Sequence, residues 1–162
     1  MLYLIKSFTD SVMGMLSEDP VRPHIPHVDR VGDNKDIFVL RDETEQVKAI
    51  TCVSYQTEIP TKETELFQIS SEPVVAIFYT IWSYAPGAGR TLIFDAVKHI
   101  KENKPEIQRY VTLSPKTEMA KRFHMRNGAV VFRENEDTVN YEYHRVILCV
   151  MAEKEAHHVH LA

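Results

Sequence analysis

"PVVAIFYTIWSYAPGAGRTLIFDAVKHIKENKP", residues 73–105, changes character twice. Its first ten residues are a continuous apolar run rich in β-branched and aromatic side chains. Such a run predicts a strand covered on both faces, hence near the centre of a sheet. Tyr84 to Arg90 then breaks the pattern with Pro86, Gly87 and Gly89. From there Leu92, Ile93, Ala96, Val97 and Ile100 recur at helical spacing, and Pro105 follows the end. Gly87 and Gly89 leave backbone that a ligand can approach closely. The first amides of the following helix have no partner within it and carry the positive end of its dipole. A pyrophosphate is the natural guest; a tight turn without a ligand is the alternative. No Gly-Lys-Ser/Thr follows, and position 92 is Leu, so neither the P-loop nor the dinucleotide fingerprint is present.

Outward from this unit the same patterns repeat. "MLYLIK" predicts a strand, and "TDSVMGMLSED" a short helix with a Thr/Asp cap signal and a Val12, Met13, Leu16 stripe. Three prolines make "PVRPHIPHVDRVGDN" a loop or broken helix. "DIFVLRD" and "VKAITCVSY" predict a hairpin, and "TEIPTKETEL" a polar connection. After the central unit come a strand "IQRYVTL", a helix "TEMAKRFHMRNG" stopped by Asn127-Gly128, and strands "AVVFREN" and "VNYEYHRVILCVM". The order β-α-β-β-β-α-β-α-β-β predicts an α+β fold: a mixed, twisted sheet of six to seven strands flanked by helices. Residues 1–152 are expected to form a single domain, with 153–162 a polar, His-rich tail.

Composition narrows the function. Hydrophobic residues are 44% and charged residues 26%, as in ordinary globular domains, and the formal net charge is −4. That balance argues against a generally basic surface for nucleic acid. Two separated thiols, Cys52 and Cys149, suggest neither a disulfide framework nor a metal cluster, and fit a cytoplasmic protein. No run of 18 apolar residues predicts a membrane span, and the start is not expected to be a signal peptide. The terminal His157, His158 and His160 read as exposed rather than as metal ligands, so no metal is expected.

"TLSPKTEMAKRFHMRNGA", residues 112–129, raises a chemical question. Ser114 before Pro115 is a good helix-cap signal, but Thr117-Glu118 can cap instead and leave Ser114 free at the strand end. His124 shares a helical stripe with Ala120, Phe123 and Asn127, as a packed core histidine would. One helix holding both Ser114 and His124 would separate them by ~15 Å at ~1.5 Å per residue. A partnership between them requires the helix to begin near Thr117.

The glycine loop resembles the acyl-CoA pyrophosphate loop of the GNAT acetyltransferases, Gln/Arg-x-x-Gly-x-Gly/Ala: Gly87 and Gly89 match, and Tyr84 takes the first position. The element order is also that family's. Its helix after the fifth strand reads Asn-x-x-Ala-x-x-x-Tyr-x-x-x-Gly; Ala120 and Gly128 match, with Thr117 for the Asn and His124 for the Tyr that commonly protonates the CoA thiolate. More narrowly, "CVSYQTEIP" at 52–60, "AIFYTI" at 76–81, "TLSP" at 112–115, "RFHMRNGA" at 122–129 and "VNYEY" at 139–143 resemble the GNAT-like catalytic domain of malonyl-CoA decarboxylase, over residues 48–145. Cys52 stands where that family tends to place a Glu, and the CoA loop is shorter here.

The resemblance implies a GNAT-like acyl-CoA fold with a coenzyme A thioester as substrate, malonyl-CoA or acetyl-CoA. Ser114 and His124 fall on the catalytic pair. The pyrophosphate would lie on Tyr84, Ala85, Gly87, Ala88, Gly89 and Arg90. Trp82, His24, His27 and Asn140 are expected around the acyl pocket. Decarboxylation needs a donor to the enolate oxygen and a proton for carbon, tasks that suit an imidazole titrating near neutrality. An N-acetyltransferase with an amine acceptor is the alternative, and a non-catalytic CoA-binding relic the third. A monomer or homodimer fits either, with no nucleic-acid or membrane partner expected.

Overall fold

The structure is a computed structural model that describes residues 1–8 and 10–144. Cys149, the terminal histidines and the end of the last predicted strand lie outside the described residues. Among the described residues, alternating apolar positions build one mixed sheet of eight strands. These are β1 (Leu2–Ile5), β2 (Lys35–Arg41), β3 (Val47–Gln56), β4 (Val75–Ser83), β5 (Arg109–Thr112), β6 (Ser114–Pro115), β7 (Val130–Glu134) and β8 (Thr138–Tyr143). Two α-helices, α1 (Ala88–Asn103) and α2 (Glu118–Arg126), accompany three 3₁₀ segments at Ser11–Glu18, His27–Arg30 and Glu63–Phe67. The sheet is α+β and mixed as expected. Its additional strand is Ser114–Pro115, too short to leave a sequence pattern. The helix expected over the Val12, Met13, Leu16 stripe is 3₁₀, with Asp10 accepting from the Val12 amide.

Strand order is β1-β2-β3-β4-β5-β8-β6, with β7 on the other edge of β8. All pairings are antiparallel except β4–β5, joined through α1. Alternation sends each strand's side chains to two cores. Phe38, Val53, Ala76 and Phe78 meet Leu92, Ala96 and Ile100 of α1 on one face. Ile37, Cys52, Ile77 and Tyr79 meet Val12, Leu16, Ile25 and Leu66 on the other. β4 is thus covered on both sides, as its continuous apolar run demands.

Two irregularities of β4 shape the molecule. First, Cys52 pairs with Thr80 but Val53 pairs with Phe78, so Tyr79 is an extra residue opposite β3. This bulge shifts the alternation: Ile81 packs against the α1 core and Trp82 against the other, on the same face as Tyr79 three positions earlier. Second, β4 and β5 pair only over Val75–Phe78 and Arg109–Thr112. The Leu113 amide still reaches the Phe78 carbonyl at 3.1 Å. Beyond that point β4 runs on to Ser83 without β5, and the sheet opens into a wedge.

Candidate active site

The wedge holds a cavity of about 740 Å³. Phe78 and Leu113 mark its closed end, and Ser83 and Gly89 its end toward the glycine loop. Both Ser114 and His124 line it, as does Trp82. Among the described residues no Asp, Glu, Lys or Arg does.

Ser114 reaches the cavity because the β5 ladder is interrupted. At Thr112 side chains replace the ladder bonds: the Tyr141 amide donates to Thr112 Oγ1 (3.1 Å), and Asn140 Nδ2 donates to the Thr112 carbonyl (2.8 Å). β6 then rejoins β8 through Ser114 and Val139. Ser114 Oγ donates to Thr112 Oγ1 at 2.7 Å. The cap of α2 is Thr117, whose hydroxyl accepts from the Ala120 amide at 3.2 Å. Ser114 is therefore no cap, and the helix begins where a partnership with His124 requires.

α2 carries His124 on its one fully covered face. Gly128, at φ 96°, ends the helix, and the Ala129 amide bonds the His124 carbonyl at 3.0 Å. The imidazole stacks on Tyr141 (5.1 Å between centroids), and Nδ1 lies 2.8 Å from the Tyr143 hydroxyl. Burial pushes the Tyr143 phenol above its usual range. Either group can donate across this contact; with the hydroxyl as donor to Nδ1, the imidazole proton sits on Nε2. Burial also lowers the His124 pKa from 6.5 to about 4. This corrects the expectation of an imidazole titrating near neutrality: a buried ring without an anionic partner loses its charged form. His124 and Ser114 do not bond each other; a neutral imidazole and a hydroxyl line one cavity.

The glycine loop leaves β4 as expected, but its two glycines differ in role. Gly87 caps α1 in the left-handed region, φ 78°, which a β-carbon disfavours. A β-carbon on Gly89 would lie 3.1 and 3.2 Å from the Phe123 ring, so this glycine admits α2 against α1. Ala85 accepts from the Ala88 amide at 3.2 Å, and Thr91 is the first residue to bond back to Gly87. The Arg90 guanidinium lies over Phe94, 5.1 Å from the ring centroid. Tyr84 ties the loop to the first 3₁₀ segment: it accepts from Trp82 Nε1 at 2.9 Å and donates to Glu18 at 3.2 Å.

Three expected pocket residues are elsewhere. His24 is exposed and paired with Glu63 at 2.6 Å. His27 opens a 3₁₀ turn. Asn140 is buried behind the sheet, where Nδ2 straps the Pro60 and Thr112 carbonyls. Neither His24, His27 nor Asn140 lines the cavity. Sequence reasoning missed Tyr143 and Thr112. Tyr143 ends the quoted "VNYEY", three residues from the Asn140 singled out in its place. Among the described residues no group of three His, Cys, Asp or Glu is arranged for a metal. No helix among them is long and apolar enough to cross a membrane.

No protein-family model and no curated protein matches the sequence. Solved structures do match in shape. Malonyl-CoA decarboxylase from Cupriavidus metallidurans superposes with a TM-score of 0.72 at 14% identity, over 91% of this chain and 62% of that one. The Rhodopseudomonas palustris decarboxylase gives 0.72 at 16%, over 93% of this chain and 61% of that one. An acetyltransferase from Bacillus subtilis in complex with CoA gives 0.62 at 11%, over 88% and 97%. The chain spans less than two thirds of the length of those decarboxylases. It therefore has the GNAT-like acyl-CoA fold, in a form that resembles both malonyl-CoA decarboxylase and the GNAT acetyltransferases.

Proposed function

We propose that this chain is an acyl-CoA enzyme that decarboxylates a malonyl thioester to an acetyl thioester. The observation that carries the reading is the pair Ser114 and His124 lining one uncharged cavity, with the imidazole held neutral by burial. The pyrophosphate would rest on the backbone of Ala85–Arg90, and the thioester would enter the wedge past Gly89.

In the reaction the bond between the α-carbon and the carboxylate breaks. Carbon dioxide leaves, the electron pair passes into the thioester as an enolate, and a proton taken ultimately from solvent adds to the α-carbon. Charge thus moves from the carboxylate to the thioester oxygen. A guanidinium or ammonium in the cavity would hold the charge where it starts; walls without Lys or Arg favour its departure. A neutral Nε2–H donor strengthens its bond as the enolate oxygen gains charge. The Tyr143 hydroxyl, as donor to Nδ1, fixes the tautomer this needs. Ser114, whose hydroxyl would turn from Thr112 Oγ1 to the ligand, is the donor that orients the carboxylate. The rival transfer of acetyl to an amine requires a base for an ammonium. A histidine pulled down to about 4 is a poor one, and no carboxylate among the described residues lines the cavity.

Mass spectrometry after incubation with malonyl-CoA, and separately with acetyl-CoA plus mixed amines, tests the proposal. Loss of carbon dioxide without an acceptor is the expected result. His124→Gln should lower turnover by about 10²-fold or more while sparing CoA affinity, and Tyr143→Phe should lower kcat less. Free CoA released only with an amine would establish the transferase. CoA binding without turnover of either thioester would establish a relic.

A further inference from the structure

Beside the bulge of β4 lies a buried ion cluster that touches neither Ser114 nor His124. The Asp19 carboxylate accepts from the Val21 amide (2.9 Å), the Arg22 amide (3.0 Å), Thr80 Oγ1 (2.7 Å) and Arg30 Nη1 (3.0 Å). Arg30 is wholly buried and also donates to the Arg22 carbonyl at 2.6 Å. Arg22 Nη1 donates to the Tyr79 carbonyl, and Arg22 Nε pairs with Glu63 at 2.9 Å. The turn at residues 19–22 is thereby closed onto the bulge at both ends. Thr80 holds its first residue, and Arg22 holds Tyr79 with its last.

Taking such charges out of water is costly, and well-packed apolar residues stabilise a fold as well or better. What the cluster supplies is a fixed position. The residues fixed are Pro20 and Val21, and both line the cavity. Pro20 has no freedom at φ. Val21, half-buried, lies between Asp19 and Arg22, which bond Thr80 and Tyr79, and lines the cavity with these two, immediately past the point where Phe78 and Leu113 hold β4 and β5 together. That is the closed end of the wedge, where the acyl tip of a thioester entering from the glycine loop arrives.

We propose that Val21, held on the Asp19–Arg22 turn, is the residue that limits the size of the acyl group. The inference rests on the reading of the wedge as the thioester site. A rigid wall of one branched side chain discriminates chain length sharply, because the clamp prevents it from yielding. One methylene more or less in such a pocket changes affinity by roughly tenfold or more.

Calorimetric titration with CoA, acetyl-CoA, butyryl-CoA and hexanoyl-CoA, of wild type, Val21→Ala and Val21→Phe, tests it. CoA should bind all three proteins alike. Affinity in wild type should fall along the acyl series. Val21→Ala should recover hexanoyl-CoA binding by about tenfold or more, and Val21→Phe should weaken butyryl-CoA by a similar factor. Equal CoA affinity with the same chain-length profile in all three proteins would overturn the role of Val21 and leave the thioester site standing. Failure of wild type to bind CoA at all would overturn both.

Discussion

His124 is neutral at pH 7 because its ring is shut away from water, so its proton affinity belongs to the folding equilibrium. The unfolded chain takes up that proton near pH 6.5, the folded chain only near 4. Between those values the unfolded state binds more protons, so stability is full above pH 6.5 and falls with pH until it levels near 4. The loss from this one residue is at most about 3 kcal/mol. Urea unfolding at pH 7, 6, 5 and 4.5 should show that fall in wild type, and His124→Gln should lack its share; parallel curves for the two proteins would count against a buried neutral imidazole. That Ser114 and His124 face one cavity was legible in the sequence, because both stand in recognisable motifs. Their surroundings were not. The depressed pKa comes from Tyr141, Tyr143 and Phe123 packing round the ring, contacts across as many as 19 residues that no local pattern encodes.

At the level of elements, α1 and α2 meet over Gly89. The strand–loop–helix unit could be read from the apolar run and the helical repeat, and the start of α2 from Thr117. The reason for Gly89 could not, since Phe123 is a tertiary neighbour. Gly89→Val should therefore destabilise the fold by about 1–3 kcal/mol through overpacking, apart from any effect on a ligand. Phe123→Leu in the Gly89→Val background should recover part of that loss, giving a double-mutant coupling of about 0.5–3 kcal/mol in denaturant titrations. Additive effects would mean that the two helices do not depend on this contact. The bulge at Tyr79 was hidden for a different reason. One inserted residue leaves the composition of a doubly covered strand unchanged, and only pairing with β3 reveals the shift that turns Trp82 toward the cavity.

Across the whole molecule, the β1–β5 part of the architecture followed from element order, because consecutive strands pair there and the parallel crossover needs α1; the place of β8 beside both β5 and β6 did not. The number of strands did not, because β6 has two residues. The two halves of the sheet, β1–β4 and β5–β8, share a seam of four register pairs, from Val75–Arg109 to Phe78–Thr112. Past that seam the edge of β4 away from β3, from Thr80 to Ser83, faces a gap where β5 has ended; the Tyr79 carbonyl is already taken by Arg22. An extended ligand lying in the gap would take the place of that strand and complete the sheet without contributing a residue. Amide hydrogen exchange reads this directly: CoA should slow deuterium uptake in 80–83 well beyond any change in β2, and exchange in that segment untouched by saturating CoA would place the ligand outside the sheet. On the proposed function, the folded protein is an unfinished sheet whose last rung the substrate would supply.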